Sequence, residues 1–148
     1  PSGPFGASRS GSLSRWDRRP LIPTDHKEPT VTELTSAMLE EACTSYVSLI
    51  GDENVDALMD LFADGCTVED PVGSPLRVGR DDVRAFYETL PGVGVSAKLV
   101  GPVHAIADAR SAAFPFEIDT DGFAMSVIDV MTFDDNARIT SMTAYWKM

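Results

Sequence analysis

Histidine and cysteine are nearly absent from this chain: His26 and His104, Cys43 and Cys66, two of each in 148 residues. Two distant histidines do not supply a three-ligand zinc centre, and no nucleophile-elbow sequence is present to draw His104 into a Ser-His-Asp triad. The cysteines show neither CxxC spacing nor a zinc pattern and read as buried free thiols in a reducing, cytoplasmic setting. Glycine-rich phosphate-binding fingerprints are missing, as is any run of the roughly 18 to 20 apolar residues that crosses a bilayer. Positive charge is also scarce, with 12 basic against 23 acidic residues and a formal net charge of −11. Such a surface repels nucleic-acid backbones and anionic membranes. Nucleic acid and membrane insertion are set aside on these grounds, and any chemistry falls to carboxylates and phenols.

What is present divides in two. Residues 1–30 hold five of the ten prolines and no helical or strand period, and read as a disordered N-terminal arm or an upstream extension. Residues 31–148 read as a single domain with a strongly periodic pattern. Between Glu33 and Ile50, the residues Leu39, Ala42, Cys43, Tyr46, Leu49 and Ile50 recur at helical spacing. Val55, Leu58, Met59 and Phe62 predict a second helix after Gly51, and a short β-branched run, Cys66 to Val68, leads into Glu69-Asp70-Pro71. A third helix is predicted over Asp81 to Leu90, with Val83, Phe86, Tyr87 and Leu90 inward. Beyond it the period changes to two, predicting strands over Val95 to Ala107, Ser111 to Asp119, Gly122 to Phe133 and Arg138 to Lys147. Helices first and consecutive strands after make an α+β domain, its antiparallel sheet covered on one face by the helices.

One strand carries an acid on an apolar face. Phe123, Met125, Val127, Asp129, Met131 and Phe133 alternate along the chain, and strand geometry points all six to one side. A carboxylate there pays a heavy desolvation cost, so its pKa should rise and it should persist as a hydrogen-bond donor. A bulge that turns Asp129 to solvent, or a buried pair with an arginine, would remove that cost. Asp70 precedes a proline, which holds its backbone extended at a strand end and gives it the parity of Val68; a turn-forming Asp before Pro is the plainer reading. Tyr46 and Tyr87 both fall on inward helix faces, where a phenol needs a hydrogen-bond partner.

These residues carry a resemblance. Leu61-Phe62-Ala63-Asp64, Cys66-Thr67-Val68-Glu69-Asp70-Pro71-Val72-Gly73, Gly79-Arg80, Ala85-Phe86-Tyr87, Ile128-Asp129-Val130-Met131 and Ala144-Tyr145-Trp146 together resemble the ketosteroid isomerases. These belong to the superfamily of cone-shaped folds that includes nuclear transport factor 2. The resemblance implies three N-terminal helices on a curved, mainly antiparallel sheet. It also implies Asp70 as general base, Tyr46 and a protonated Asp129 as donors to the substrate oxygen, and Tyr87 bonded behind Tyr46. Phe62 stands where some members carry a third tyrosine. The implied ligand is a steroid or similar planar apolar ketone, held in a slot drawn from Phe62, Val72, Phe86, Phe114, Phe116, Met131 and Trp146. No metal, nucleotide or organic cofactor is implied, and the implied assembly is a homodimer packed through the sheets. Two rivals remain on the same scaffold. One is another enzyme, such as a polyketide cyclase or an epoxide hydrolase; the hydrolase would want an arginine beside its acids, and none is expected near Asp70 or Asp129. The other is a non-catalytic small-molecule-binding module.

Overall fold

A computed structural model describes residues 33–90 and 95–147; the proline-rich arm lies outside the described residues. Helix α1 spans Ser36–Gly51. It begins later than the periodicity suggests because the Thr35 hydroxyl accepts the Met38 N–H at 3.2 Å and caps it. Its buried stripe is Leu39, Ala42, Cys43, Tyr46, Val47 and Ile50. Helix α2, Val55–Met59, is capped by Asn54, whose side chain accepts the Ala57 N–H at 3.1 Å. It stops short of Phe62, which the helical spacing had placed on it. The Arg80 guanidinium donates to the Met59 and Phe62 carbonyls at 2.9 and 2.6 Å, so the chain leaves the helix directly into strand β1, Phe62–Glu69.

Strand β2, Arg77–Val78, pairs antiparallel with β1, Val68 opposite Arg77. Two residues carry no readable period, and the sequence pattern did not anticipate it. Helix α3 follows at Arg80–Tyr87. The expected strand from Val95 to Ala107 is in fact two, β3 (Val95–Leu99) and β4 (His104–Ile106), both paired with β5, Ser111–Thr120. Pro115 explains the break. Its carbonyl accepts the Val100 N–H at 3.1 Å, but it has no N–H to return toward that edge. Gly101 passes over the proline ring so closely that a Cβ there would lie 2.8 Å from Pro115 Cγ.

Strands β6 (Phe123–Phe133) and β7 (Ile139–Lys147) complete the sheet, in the order β2-β1-β7-β6-β5-β3 with β4 beside β5. Every pairing is antiparallel except β1 with β7. Helix α1 packs on β3, β4 and β5, and α3 packs on β1 and β2. The fold is therefore α+β, with three α-helices among the described residues on a curved, mainly antiparallel sheet, and the inward faces of β5, β6 and β7 lie between the two helical contacts. No helix among the described residues is long and apolar enough to cross a membrane.

The Gly101 contact makes a prediction about stability. Gly101→Ala drives a methyl into the Pro115 ring and should cost about 1–3 kcal/mol, as overpacking does. The urea midpoint checks it; an unchanged midpoint would show that β3 and β4 shift freely over Pro115.

Candidate active site

The site is built on strand parity. In the β5–β6 register Phe114 faces Asp129, Phe116 faces Val127, and Ile118 faces Met125, and this set turns toward the helices. Asp129 keeps its place in the row without a bulge and is only 1% exposed. Neither of its carboxyl oxygens has a hydrogen-bond partner among the described residues. Burial, and then the charge of Asp70, push its pKa well above the ordinary carboxyl range; the nearby Tyr46 phenol works the other way without closing a hydrogen bond to it. Burial and the Asp70 charge both favour the neutral, protonated form of the Asp129 carboxyl.

Asp70 directly follows β1 and is joined to Pro71 by a cis peptide. The next residue anchors the turn to β7, the Val72 N–H donating to the Ala144 carbonyl at 2.9 Å. Trp146, at the end of β7, donates its indole N–H to Asp70 Oδ1 at 2.8 Å. The Asp70 pKa is raised on balance, because burial outweighs the Trp146 hydrogen bond and the Arg77 charge that pull it down. The two acids therefore differ in kind: Asp70 accepts a hydrogen bond and has a cation acting on it, whereas Asp129 accepts no hydrogen bond among the described residues and has the charge of Asp70 acting on it.

Tyr46 and Tyr87 join their hydroxyls at 2.8 Å, and both side chains are buried. Burial is the main reason both phenols titrate well above their usual range, so both keep their protons. Four rings brace Tyr46 edge-on, Phe62, Tyr87, Phe114 and Phe116, with centroids 6.1–6.4 Å away. Such packing fixes the direction of its hydroxyl.

Tyr46, Asp70, Tyr87 and Asp129 all line one cavity of about 230 Å³. Of the seven residues expected in the slot, Phe86, Phe116 and Trp146 line it. Phe62, Phe114 and Met131 do not: they are fully buried. Phe114 and Met131 share the inward parity but sit level with Asp129 or beyond it, and Phe62 and Phe114 serve as the bed under Tyr46. Val72 is 44% exposed and lies outside the cavity, because its N–H ties the turn to β7 and leaves its side chain on the surface. The remaining wall is Ile50, Leu90, Ile118, Thr120, Met125 and Val127. The strand members of that set share the parity of Asp129 or Phe116 and were legible in the alternation; Ile50 and Leu90 show only as inward helix positions. The expectation that no arginine lies near Asp70 is overturned: Arg77 pairs opposite the buried Val68 and its charge acts on Asp70, so the absence of an arginine no longer weighs against a hydrolase.

Geometry and burial thus bring two acids and two phenols into one apolar chamber. The Asp129 assignment has a consequence for folding. Its carboxyl titrates near 4 in the unfolded chain and well above that when folded. The folded state holds a proton that the unfolded state has released, so Asp129 makes stability fall as pH rises from the unfolded value to the folded one. Relative to wild type, Asp129→Asn should gain stability steadily above about pH 4, levelling off at the folded pKa. Urea midpoints across the pH range check this, and a difference independent of pH would contradict a raised Asp129.

Comparison with known proteins places this geometry in a family. Residues 44–142 match the family model described as the SnoaL-like domain. A steroid Delta-isomerase of Nocardioides simplex is 39% identical over 115 residues, covering 75% of this chain and 91% of that protein. A solved structure of SalBIII, described as an epoxide hydrolase/cyclase-like enzyme with a role in pyran ring formation in polyether salinomycin, superposes with a TM-score of 0.68. It is 26% identical and covers 76% of this chain and 92% of that one. The chain belongs to the SnoaL-like family, in the company of the steroid Delta-isomerase that it matches across most of its length.

Proposed function

We propose that this isomerase converts Δ5-3-ketosteroids to their Δ4 isomers by moving a proton from carbon 4 to carbon 6. The observation that carries the reading is the Asp129 carboxyl, buried without a partner on the wall that also holds Tyr46 and Asp70. An unsatisfied buried polar group costs about 1–3 kcal/mol, and a substrate carbonyl would satisfy it. Protons on carbon 4 are acidified by the adjacent carbonyl. Asp70 takes one of them, charge moves onto the 3-oxygen as a dienolate, and Tyr46 and Asp129 donate hydrogen bonds to that oxygen. Asp70 then returns the proton to carbon 6, leaving the conjugated enone. Tyr87 supports the Tyr46 phenol from behind, and Phe86, Phe116 and Trp146 offer flat apolar contact for the rings.

Each role makes a physical demand that the site supports. The base must be ionised and open to the proton it takes, and Asp70 Oδ1 is occupied by Trp146 while no hydrogen bond to Oδ2 forms among the described residues. The donors must be neutral and preorganised where charge develops, which burial favours for both. The proposed assembly is a homodimer through the outer sheet face, where the paired Ile128 and Tyr145 are 48% and 53% exposed.

A second reading is favoured by the likeness to SalBIII. A protonated acid facing a carboxylate base across an apolar chamber also suits acid-assisted ring closure, with Asp129 donating and Asp70 accepting a proton. The isomerase reading has the higher identity behind it.

Mixing the protein with 5-androstene-3,17-dione should produce the conjugated-enone absorbance near about 250 nm, the optical signature of the product chemistry. Asp70→Asn should abolish most turnover while leaving the binding of a planar phenolic steroid intact. Tyr46→Phe should lower the rate by about a hundredfold to a thousandfold, the usual loss for one oxyanion donor. No absorbance change with folded wild-type protein would refute the steroid assignment and leave ring closure as the reading to pursue; normal turnover by Asp70→Asn would refute the base.

A further inference from the structure

Arg77 differs from the other arginines of the described residues that have defined partners. Arg84 is paired with Asp56 and Glu88, Arg110 with Asp135, and Arg80 is spent on two backbone carbonyls. Arg77 forms no ion pair among the described residues; one of its nitrogens donates to the Pro75 carbonyl at 3.4 Å. Its guanidinium carbon lies 4.5 Å from the centroid of the Phe86 ring, and Phe86 lines the cavity. Stacking of this kind holds a flat cation in place without neutralising it.

Cross-strand register decides which way Arg77 faces. It stands opposite Val68, which is fully buried, and directly paired residues share a face. Asp70 lies one residue past the end of β1 and lines the cavity together with Phe86, the ring under Arg77. The Arg77 charge acts on Asp70 without an ion pair closing between them among the described residues. We propose that Arg77 is a positioning residue for the reaction: its guanidinium, perched on Phe86, is the standing counter-charge that keeps Asp70 an ionised base, most of all when substrate displaces water from the cavity. The proposal rests on Asp70 being the base.

Distance matters to this role. A direct salt bridge would occupy the free Asp70 oxygen and weaken it as a base, whereas a cation one side chain away favours the carboxylate and leaves that oxygen available. The groups facing Asp70 from its neighbours are few. Trp146 on β7 donates a neutral hydrogen bond; Tyr46 on α1, Tyr87 on α3 and Asp129 on β6 line the same cavity and are driven toward their uncharged forms by burial. Arg77 on β2 is the cation that acts on Asp70, and it lowers the Asp70 pKa against the pull of burial.

The test is the pH profile of enone formation by wild type, Arg77→Met, Arg77→Lys and Asp70→Asn. Removing the charge should move the acid limb of kcat/KM to higher pH by about half a unit to one unit, the lower end for an opposite charge at this range. The acid limb of kcat should move further, because bound substrate excludes water. Plateau rates at high pH should stay within about twofold of wild type, and Arg77→Lys should return most of the shift. Raising salt to about 1 M should lift the wild-type limb and leave that of Arg77→Met in place. A carbon-13 titration of the Asp70 carboxyl should show the same displacement without any turnover, and the wild-type salt series stands even if Arg77→Met fails to fold. A lowered plateau with an unmoved limb and an unmoved Asp70 titration, beside an inactive Asp70→Asn, would overturn the role of Arg77 alone. Full turnover by Asp70→Asn would overturn the base and this proposal with it.

Discussion

Burying the Asp129 carboxyl without a hydrogen-bond partner is the constraint on which the site depends. A strand that alternates apolar residues and keeps its register for ten pairs with β5 gives that side chain no way out. Burial without a partner favours the protonated form, and a carboxylic acid with a proton and no acceptor can donate to an incoming oxygen. Fold and chemistry are therefore linked through one residue. The same pairing that closes the core also sets the protonation state of the site.

The contrast with Asp70 is made by position. Asp70 leaves the end of β1, where the Trp146 indole reaches it at 2.8 Å and the Arg77 charge opposes the effect of burial. Asp129 lies deeper, beside the Tyr46 phenol, where the negative charge of Asp70 adds to the effect of burial. Two acids of nearly equal intrinsic strength are thus driven apart, the relation that acid and base partners at one site require. Each also enforces the other: an ionised Asp70 makes ionising Asp129 harder. The paired Tyr46 and Tyr87 hydroxyls add a second neutral donor whose direction is fixed by rings rather than by charge.

Much of this was legible in the sequence, and the exceptions have physical causes. Strand alternation placed Asp129 inward because period two leaves no ambiguity about faces. The same alternation does not say how far along a strand the cavity reaches, which is why Phe114 and Met131, inward but at or beyond the level of Asp129, were assigned to the slot and are instead core. Phe62 continued the spacing of Val55, Leu58 and Met59 by coincidence; what ends that helix is Arg80, eighteen residues away in sequence. Strand β2 is too short to show a period, and Arg77 went unnoticed with it. The break at Pro115 depends on an edge without an N–H and on Gly101 crossing a ring, facts of tertiary contact that no local pattern carries. The roles of Asp70, Tyr46 and Asp129 came from the family resemblance, and the geometry supports them without assigning them.

The most direct measurement is a paired carbon-13 titration of the Asp70 and Asp129 carboxyls in the wild-type protein, free and with a planar phenolic steroid bound. The account predicts that at neutral pH Asp70 is ionised and Asp129 still protonated in both states. Two carboxyls ionised together at neutral pH, with Asp129 titrating near the ordinary value of about 4, would contradict it.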